Sequence, residues 1–409
     1  MEILYISSIP SQKEFDRMKT RVKPDALLTT YGMYESGFKF HTLIMNGITQ
    51  NGHRIVSLCG RSVDRNTYLG HYWKKITEKD GAIEHRHLPF INFPVLKQLG
   101  MGISFYFNTL CWQFKNRKKE RGIIMDASYV SVLPFVQLAC LGFKAKKTAI
   151  FCDIYDYMAN VKDARENEKI SFVKKVIKKV TAFCYKRTDA YVFLTEQMNE
   201  VVNPYGKPYI VMEGLVDINM ATKPNELQNK ADGKVVMYAG AIRAQYGVKN
   251  LVEGFMDYEN SDAKLWIFGD GDYRDELKDI NQKDSRITYF GAVPLKTVIE
   301  KELEASLMVN PRPVDKEFTK YSFPSKNMEY MASGTPILTT RLPGMPKDYY
   351  DYIYTIDGNS KEDITAALQK VLANSQAELL CMGKKAKAFV LENKNNVAQS
   401  ARILALLED

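Results

Sequence analysis

The segment Ser322–Pro336 contains residue types that suit a phosphate site at the start of a helix. Pro324 fits the first turn of a helix, where its missing N–H group costs nothing, and Gly334 fits the helix end. Ser325 and Lys326 would then lie in the first turn, where unpaired backbone N–H groups and a positive partial charge attract anions. Hydroxyl, ammonium and N–H donors in one place predict a binding site for phosphate.

Glu329 adds a carboxylate one turn further along the same predicted helix. Residues three and four positions apart share a helix face, so Glu329 lies on roughly the same side as Ser325 and Lys326. A carboxylate there could accept two hydrogen bonds from the hydroxyls of a ribose. The alternative is an ordinary capped helix with a solvated lysine and glutamate, and the spacing alone does not decide between the two.

Strands and helices alternate along both halves of the chain. Short apolar runs such as Ile3–Ile6 and Val235–Ala239 predict buried strands, and the pattern of Val248–Tyr258 predicts a helix. This alternation predicts an α/β protein with parallel sheets and helices on both faces. The polar stretch Met220–Gly233 is interpreted as a linker between two Rossmann-like domains. Such a pair of domains predicts a cleft that the carboxyl ends of the strands face.

Five segments follow one another in the second half of the chain: Glu213–Asp217, Tyr238–Val248, Trp266–Gly271, Tyr289–Pro294 and Phe323–Pro336. As an ordered set they resemble the family 4 retaining glycosyltransferases, which have the two-domain GT-B fold. The sequence resembles most the members that build bacterial surface polysaccharides. The resemblance is weaker over the first half, where this family recognises its acceptor.

The resemblance implies roles for the matching positions in donor binding. Glu329 corresponds to the second glutamate of the family's paired-glutamate motif, which holds the ribose. Gly240 begins the glycine loop that lies against the donor diphosphate. The turn that contains Gly291 and Val293 lines the base pocket with backbone groups.

The chain departs from the family pattern at three positions. Tyr321 stands where the first motif glutamate is expected, Ala241 where an arginine is usual, and Tyr246 where a lysine is usual. Other cations must therefore meet the phosphate charge, and Arg243 and Lys326 are the candidates. Because the sugar-contacting glutamate is missing, the resemblance does not identify the sugar.

Two glycines of the first half, Gly32 and Gly37, precede a helix predicted to begin near Phe40. A glycine loop in front of a helix can approach the donor phosphate or the acceptor. A plain turn is the alternative, and the sequence does not decide between them.

Three aspartates are candidates for carboxylate chemistry. Asp153 follows the predicted strand Thr148–Cys152 and is expected to face the cleft as a catalytic carboxylate, with a helix N-cap as the alternative. The family often has a His-Asp pair near this position, but all histidines of this chain lie within His41–His87. Asp270 and Asp272 mimic a metal-binding pair, yet they match a family loop that binds no metal, which favours turn chemistry.

Charge is distributed unevenly between the two halves. Residues 1–210 carry 32 Lys and Arg against 19 Asp and Glu, a net charge of +13, whereas the remainder carries 25 against 29, a net charge of −4. Basic clusters at Lys115–Arg121, Lys144–Lys147 and Lys174–Lys179 follow or flank the aromatic-rich segment Phe93–Phe114. This pattern predicts contact with an anionic membrane, with solvated helix faces over a normal core as the alternative.

The hydrophobic segments predict a cytoplasmic protein, and the basic half predicts that it lies at the inner face of the cell membrane. Val130–Phe143 is too short for the roughly 20 residues that a spanning helix needs. Met1–Ile6 lacks the basic region of a signal peptide and is interpreted as a strand. Six scattered cysteines without a C-x-x-C pair indicate reduced thiols.

The expected architecture is an acceptor domain at 1–212, a donor domain at 213–387, and a helix at 388–409 that packs back on the first domain. The resemblance implies a hexosyltransferase that transfers sugar with retention, from a nucleotide-diphosphate sugar to a saccharide acceptor that is lipid-linked. A helix N-terminus, Lys326 and Arg243 would stabilise the leaving diphosphate. No redox cofactor, essential metal ion or nucleic-acid partner is implied.

Two other classes of protein remain open at the level of sequence. A nucleotide-sugar epimerase of the same shape would need acid–base groups around the sugar, and the second half contains no histidine. A non-catalytic nucleic-acid binder could use the basic half, although no recognised motif supports it.

Overall fold

The computed structural model describes residues 1–23, 29–152, 154 and 172–408. The chain forms two compact units. The first unit comprises Met1–Met212 with Asn396–Asp409, and the second comprises Glu213–Asn395. The chain therefore passes between units after Met212 and again before Asn396.

An eight-stranded sheet organises the first unit, in the order β10-β9-β8-β7-β1-β2-β5-β4. All neighbouring strands are parallel except β4 and β5, and β3 and β6 form a separate antiparallel pair. The strand order switches direction between β1 and β7. The strands β2, β4 and β5 lie on one side of β1, and β7 to β10 lie on its other side. The strands are β1 (Glu2–Ser7), β2 (Arg54–Cys59), β3 (Tyr72–Trp73), β4 (Ile76–Asp80), β5 (Ile83–His87), β6 (Phe90–Ile91), β7 (Arg121–Asp126), β8 (Lys146–Phe151), β9 (Ala190–Phe193) and β10 (Tyr209–Val211).

The helices of the first unit connect these strands. They are α1 (Gln12–Lys19), α2 (Thr29–Gln50), α3 (Pro94–Lys115), α4 (Leu133–Ala139), α5 (Phe172–Lys186) and α6 (Glu196–Val202). Because α2 begins at Thr29 and not near Phe40, Gly32 and Gly37 lie inside the helix and the predicted glycine loop is wrong. Glycine is unfavourable in a helix, so local composition misplaced the start of α2.

A six-stranded, fully parallel sheet forms the centre of the second unit, in the order β13-β12-β11-β14-β15-β16. Its strands are β11 (Lys234–Ala239), β12 (Ala263–Phe268), β13 (Ile287–Gly291), β14 (Leu307–Asn310), β15 (Ile337–Thr340) and β16 (Tyr354–Ile356). The helices are α7 (Val248–Met256), α8 (Arg274–Lys283), α9 (Leu295–Glu304), α10 (Ser325–Ser333), α11 (Lys361–Leu372) and α12 (Gln376–Asn393).

Both faces of this second sheet are covered by apolar side chains. Along β11, Val236 and Tyr238 belong to one buried cluster, and Val235 and Met237 belong to the other. This alternation follows from the period of two in a strand. Burial on both faces is typical of parallel sheets with helices on each side.

The polar stretch Met220–Gly233 is part of the second unit, so its interpretation as a free linker is wrong. Asn225 Nδ2 donates to the carbonyl oxygen of Ser333 at 3.0 Å. Lys230 Nζ donates to the carbonyl oxygen of Ala305 at 2.7 Å. The polar residues that suggested a loop instead satisfy backbone carbonyls of the unit, a use that composition does not reveal.

The last helix, α13 (Asn396–Glu408), belongs to the first unit and packs against α2. The predicted boundary at 387/388 is wrong because α12, which starts with a capping box at Ser375, runs unbroken to Asn393. Within the contact between α2 and α13, Ser400 Oγ donates to the Ile44 carbonyl at 3.0 Å. A Cβ on Gly47 would collide with the backbone of Asn396, so glycine permits the close approach.

We expect Gly47→Ala and Gly100→Ala to change stability in opposite directions. Both glycines lie inside helices, where alanine alone should stabilise by about 0.5–1 kcal/mol. At Gly47 the new methyl group meets fixed backbone, and overpacking should cost about 1–3 kcal/mol. At Gly100 nothing lies within 4 Å of the added Cβ. Thermal unfolding midpoints measure both, and a stabilised Gly47→Ala variant would contradict the close packing of α2 and α13.

Candidate functional site

The carboxyl edge of the second sheet carries three loops that are joined by backbone hydrogen bonds. Gly240 N donates to the Phe268 carbonyl at 2.8 Å, and Gly269 N donates to the Gly291 carbonyl at 2.8 Å. Gly269 has a φ of 129°, and a Cβ there would collide with the Gly240 carbonyl. The loops after β11, β12 and β13 therefore form one fixed layer of backbone. It lies beside the point where β11 and β14 lead to opposite sides of the sheet, the place where open α/β sheets bind ligands.

Helix α10 begins and ends where the sequence predicts. Pro324 is its N-cap and offers no side-chain acceptor to the first-turn N–H groups, and Gly334 ends it with a φ of 81°. The buried Tyr330 hydroxyl accepts from Ala239 N at 3.0 Å and donates to the Ala239 carbonyl at 2.8 Å. Burial raises the pKa of Tyr330 well above its ordinary value, so the hydroxyl stays neutral. This pair of bonds fixes α10 to the end of β11.

Lys326 extends from the first turn of α10 to the loop after β11. A Cβ on Gly240 would lie 2.7 Å from Lys326 Nζ and would also collide with its Cε. The absence of a side chain at Gly240 therefore lets the ammonium group lie directly on the loop. Ser325 is exposed, and Lys326 and Glu329 are half-buried. The structure thus brings together Gly240 and Lys326, two residues assigned to the donor site from sequence.

Two arginines flank the ring of Tyr246, the residue that replaces the lysine usual in the family. The Cζ atom of Arg243 lies 5.9 Å from the ring centroid, and that of Arg312 lies 5.4 Å from it. Arg312 also lies 5.0 Å from the ring of Phe318. Attraction between guanidinium groups and aromatic faces favours this arrangement.

Arg312 is a candidate phosphate ligand that the sequence analysis missed. It follows β14 by two residues, on the other side of the switch point from Gly240. Burial lowers its pKa from the ordinary value, but arginine starts so high that the group remains charged. Within the described part of the chain, no carboxylate oxygen lies within 4.0 Å of this guanidinium. Its place at the carboxyl end of a predicted strand was the only signal available in the sequence.

The turn after β13 lies next to the loop after β12. Gly291 has a φ of 71° and Val293 is half-buried against the core. The rings of Phe268 and Phe290 stack with centroids 4.3 Å apart, which fixes the strand ends before the turn. The role of Gly291 and Val293 in a base pocket stays a prediction.

Asp270 and Asp272 hold the loops in shape. Asp270 Oδ1 accepts from Gly271 N at 2.9 Å and forms an ion pair with Arg274 at 3.3 Å. Asp272 Oδ1 accepts from Ala244 N at 3.2 Å. Both carboxylates therefore take part in turn chemistry, the use favoured by the sequence.

A second polar cluster lies in the first unit, near the ends of β1, β7 and β8. The Tyr5 hydroxyl lies 2.6 Å from His41 Nδ1, and His41 Nε2 lies 3.7 Å from Asp126 Oδ2 and 3.9 Å from Cys152 Sγ. Burial lowers the pKa of His41 and raises that of Tyr5, so a neutral phenol donates to a neutral imidazole.

In this cluster His41 lies beside Cys152, although no histidine is near Cys152 in the sequence. His41 comes from α2, more than a hundred residues earlier in the chain, which is why sequence reasoning placed no histidine there. The predicted catalytic residue Asp153 lies outside the described residues.

Comparison with known proteins agrees with this arrangement. Residues 219–389 match the family model of the glycosyl transferases group 1. This part of the chain is therefore similar to the group 1 glycosyltransferases. The matched segment lies within the second unit and includes Gly240, Arg243, Lys326 and Glu329. The resemblance inferred from sequence is confirmed, and neither the epimerase nor the nucleic-acid alternative gains support.

One curated relative is TuaH of Bacillus subtilis, a glycosyltransferase provisionally assigned to teichuronic acid biosynthesis. It is 22% identical over 239 residues, which is 56% of this chain and 60% of TuaH. The match thus spans little more than half the length of either protein. The activity and substrates of the whole protein are therefore matters for proposal.

Solved structures establish the fold of the whole chain as GT-B. Sucrose-phosphate synthase from Thermosynechococcus elongatus superposes with a TM-score of 0.65 at 14% identity, covering 100% of this chain and 98% of that one. Anabaena HepE in complex with UDP superposes with a TM-score of 0.60 at 12% identity, covering 100% of both chains. The prediction of two Rossmann-like domains is confirmed.

Substitution of Glu329 should weaken nucleotide binding without unfolding the second unit. If Glu329 accepts hydrogen bonds from a ribose diol, Glu329→Gln loses a charged acceptor, which contributes about 1.5–3 kcal/mol. We expect the dissociation constant for the cognate nucleoside diphosphate to rise roughly 10- to 100-fold in calorimetry. Glu300→Gln, an exposed glutamate of α9, is the matched control. Equal affinity and turnover for Glu329→Gln and wild type would remove Glu329 from the site.

A double-mutant cycle can test whether Gly240 matters because it seats Lys326. Gly240→Ala displaces the ammonium group, and Lys326→Met removes its charge. We expect each variant to weaken diphosphate binding, and the double variant to be little weaker than Lys326→Met alone. Gly100→Ala controls for an added methyl group. Fully additive losses would show that the two residues act independently.

Proposed function

We propose that the protein is a retaining hexosyltransferase that moves a sugar from a nucleotide-diphosphate sugar to a lipid-linked saccharide during surface polysaccharide assembly. The observation that carries this proposal is the set of cations at the carboxyl edge of the second sheet: Lys326 lies on the Gly240 loop, and Arg243 and Arg312 lie near the Tyr246 ring. Three cations beside an open helix N-terminus suit the charge of a diphosphate.

Each part of the donor has a candidate partner in the second unit. The diphosphate lies against the Gly240 loop and meets Lys326 and the two arginines. Ser325 and the first-turn N–H groups of α10 supply further donors, and Glu329 holds the ribose. That the structural neighbour HepE binds UDP supports a nucleoside diphosphate as the ligand class.

The proposed reaction is a displacement on one face of the sugar. An acceptor hydroxyl bonds to the anomeric carbon as the bond from that carbon to the diphosphate oxygen breaks, and the hydroxyl proton passes to the departing diphosphate. Lys326, Arg243 and Arg312 stabilise the negative charge that develops on the leaving group. Asp153 is the candidate catalytic carboxylate on the acceptor side.

The acceptor and the cellular setting rest on weaker support. The provisional role of TuaH in teichuronic acid biosynthesis favours a polysaccharide product. The charge of +13 on residues 1–210 favours peripheral contact with an anionic membrane at the inner face of the cell. In the described residues, no helix is long and apolar enough to cross a bilayer.

Transfer assays with a panel of nucleotide sugars and lipid-linked saccharides test the proposal. We expect one donor to be used and NMR of the product to show the anomeric configuration of that donor. Because cationic side chains meet the phosphate charge and Asp270 and Asp272 are engaged in the loops, transfer should persist in EDTA. UDP or GDP, but not oligonucleotides, should raise the unfolding temperature.

Three outcomes would overturn parts of this proposal. An inverted product would contradict the same-face displacement. If EDTA abolished activity and magnesium restored it, a metal ion would neutralise the charge of the diphosphate. Stabilisation by oligonucleotides alone would indicate a nucleic-acid binder.

A further inference from the structure

Helix α3 is apolar on two opposite faces. Met101, Phe105 and Trp112 are buried against the rest of the first unit. On the other side Leu99, Ile103 and Phe107 are exposed, the last by 58%. A helix that is apolar all round is normally enclosed on every side, but among the described residues nothing covers the outer face of this one.

The exposed apolar surface continues across the two neighbouring helices. Helix α3 packs against α4, and α4 packs against α5. The rings of Phe114 and Phe143 meet edge to face at 5.1 Å and join α3 to the segment after α4. We call the following set the apolar face: Val95, Leu96, Leu99, Ile103, Phe107, Phe114, Leu138, Leu141, Val176, Ile177, Val180 and Phe183.

The concentration of these side chains sets the apolar face apart from the rest of the surface. It holds 12 of the 21 large hydrophobic side chains that are exposed in the described part of the chain, of which 11 lie on α3, α4 and α5 and Leu141 lies just after α4. Scattered exposed residues are normal, but a patch of this extent indicates an interaction surface.

The charged side chains of α3, α4 and α5 are all positive. Helices α3, α4 and α5 contain no aspartate or glutamate. Exposed basic side chains lie at the helix ends and along α5, and they are Lys115, Arg117, Lys118, Lys144, Lys175, Lys179, Lys186 and Arg187. An apolar surface with a basic fringe matches the interface of an anionic bilayer, where tails meet the apolar groups and headgroup phosphates meet the lysines. A second copy of this chain would bring like charges together.

We propose that the apolar face of α3, α4 and α5 inserts into the interface of an anionic membrane. The inference rests on the proposed function, because a lipid-linked acceptor keeps the reaction at that surface. The proposal adds apolar insertion to charge attraction. Apolar side chains that are buried among lipid tails contribute binding free energy that salt does not screen. Added salt should therefore weaken membrane binding only in part.

Vesicle sedimentation with three matched variants tests this surface. The apolar variant carries Leu99→Gln, Ile103→Gln and Phe107→Gln, and the basic variant carries Lys115→Gln, Arg117→Gln and Lys118→Gln. The control replaces exposed apolar residues of the second unit and carries Leu227→Gln, Met256→Gln and Leu295→Gln. Vesicles contain phosphatidylcholine with or without phosphatidylglycerol, at about 0.05 M and 0.5 M NaCl.

Wild type and control should bind anionic vesicles and keep part of that binding at high salt. We expect the apolar variant to bind at least tenfold more weakly at both salt concentrations. The basic variant should be weakened at low salt and should differ little from wild type at high salt. All variants should keep nucleotide-induced stabilisation and transfer to a water-soluble acceptor, which separates this inference from the proposed function.

Two results would overturn the inference and leave the proposed function standing. One is an apolar variant that binds vesicles like wild type, or a wild type that binds none, while nucleotide binding and transfer persist. The other is a wild-type dimer in analytical ultracentrifugation that is absent in the apolar variant. That result would show that the apolar face binds a second copy of the chain. Loss of nucleotide binding and transfer in wild type would instead remove the proposed function.

Discussion

The second unit depends on the attachment of α10 to the end of β11. The Tyr330 hydroxyl satisfies both the N–H and the carbonyl of Ala239 inside the core, where an unpaired backbone group would be costly. This contact sets the distance between the open N-terminus of α10 and the Gly240 loop. Lys326 can lie on that loop only because the helix is held there and because Gly240 has no side chain.

In the proposed phosphate site, other cations take the place of the lysine that is usual in the family. Tyr246 stands where a lysine is usual, and its ring is flanked by Arg243 from its own loop and Arg312 from the neighbouring strand. Guanidinium groups supply several donors in fixed directions, which suits phosphate oxygens. The positive charge thus comes from the segments after two strands, β11 and β14, on either side of the switch point. No single sequence motif contains both arginines.

The first unit combines two features of different chemistry. Its sheet ends near a buried polar cluster around His41, whereas α3, α4 and α5 expose the apolar face with its basic fringe. The sequence shows the charge of this half and the aromatic-rich segment Phe93–Phe114 beside it, but it leaves open whether that segment belongs to a normal core. Periodicity could not decide this because it does not distinguish a buried face from an exposed one.

Sequence alone determined the features that local physics controls. The βαβ alternation, both ends of α10, and the residues Gly240, Lys326 and Glu329 could be predicted, because proline, glycine and first-turn donors act within a few residues. Only the tertiary structure decided the start of α2, the return of the chain at Asn396, and the meeting of Arg312 with Tyr246 and of His41 with Cys152. These depend on packing between segments far apart in the chain, where close backbone contact and burial outweigh local preference.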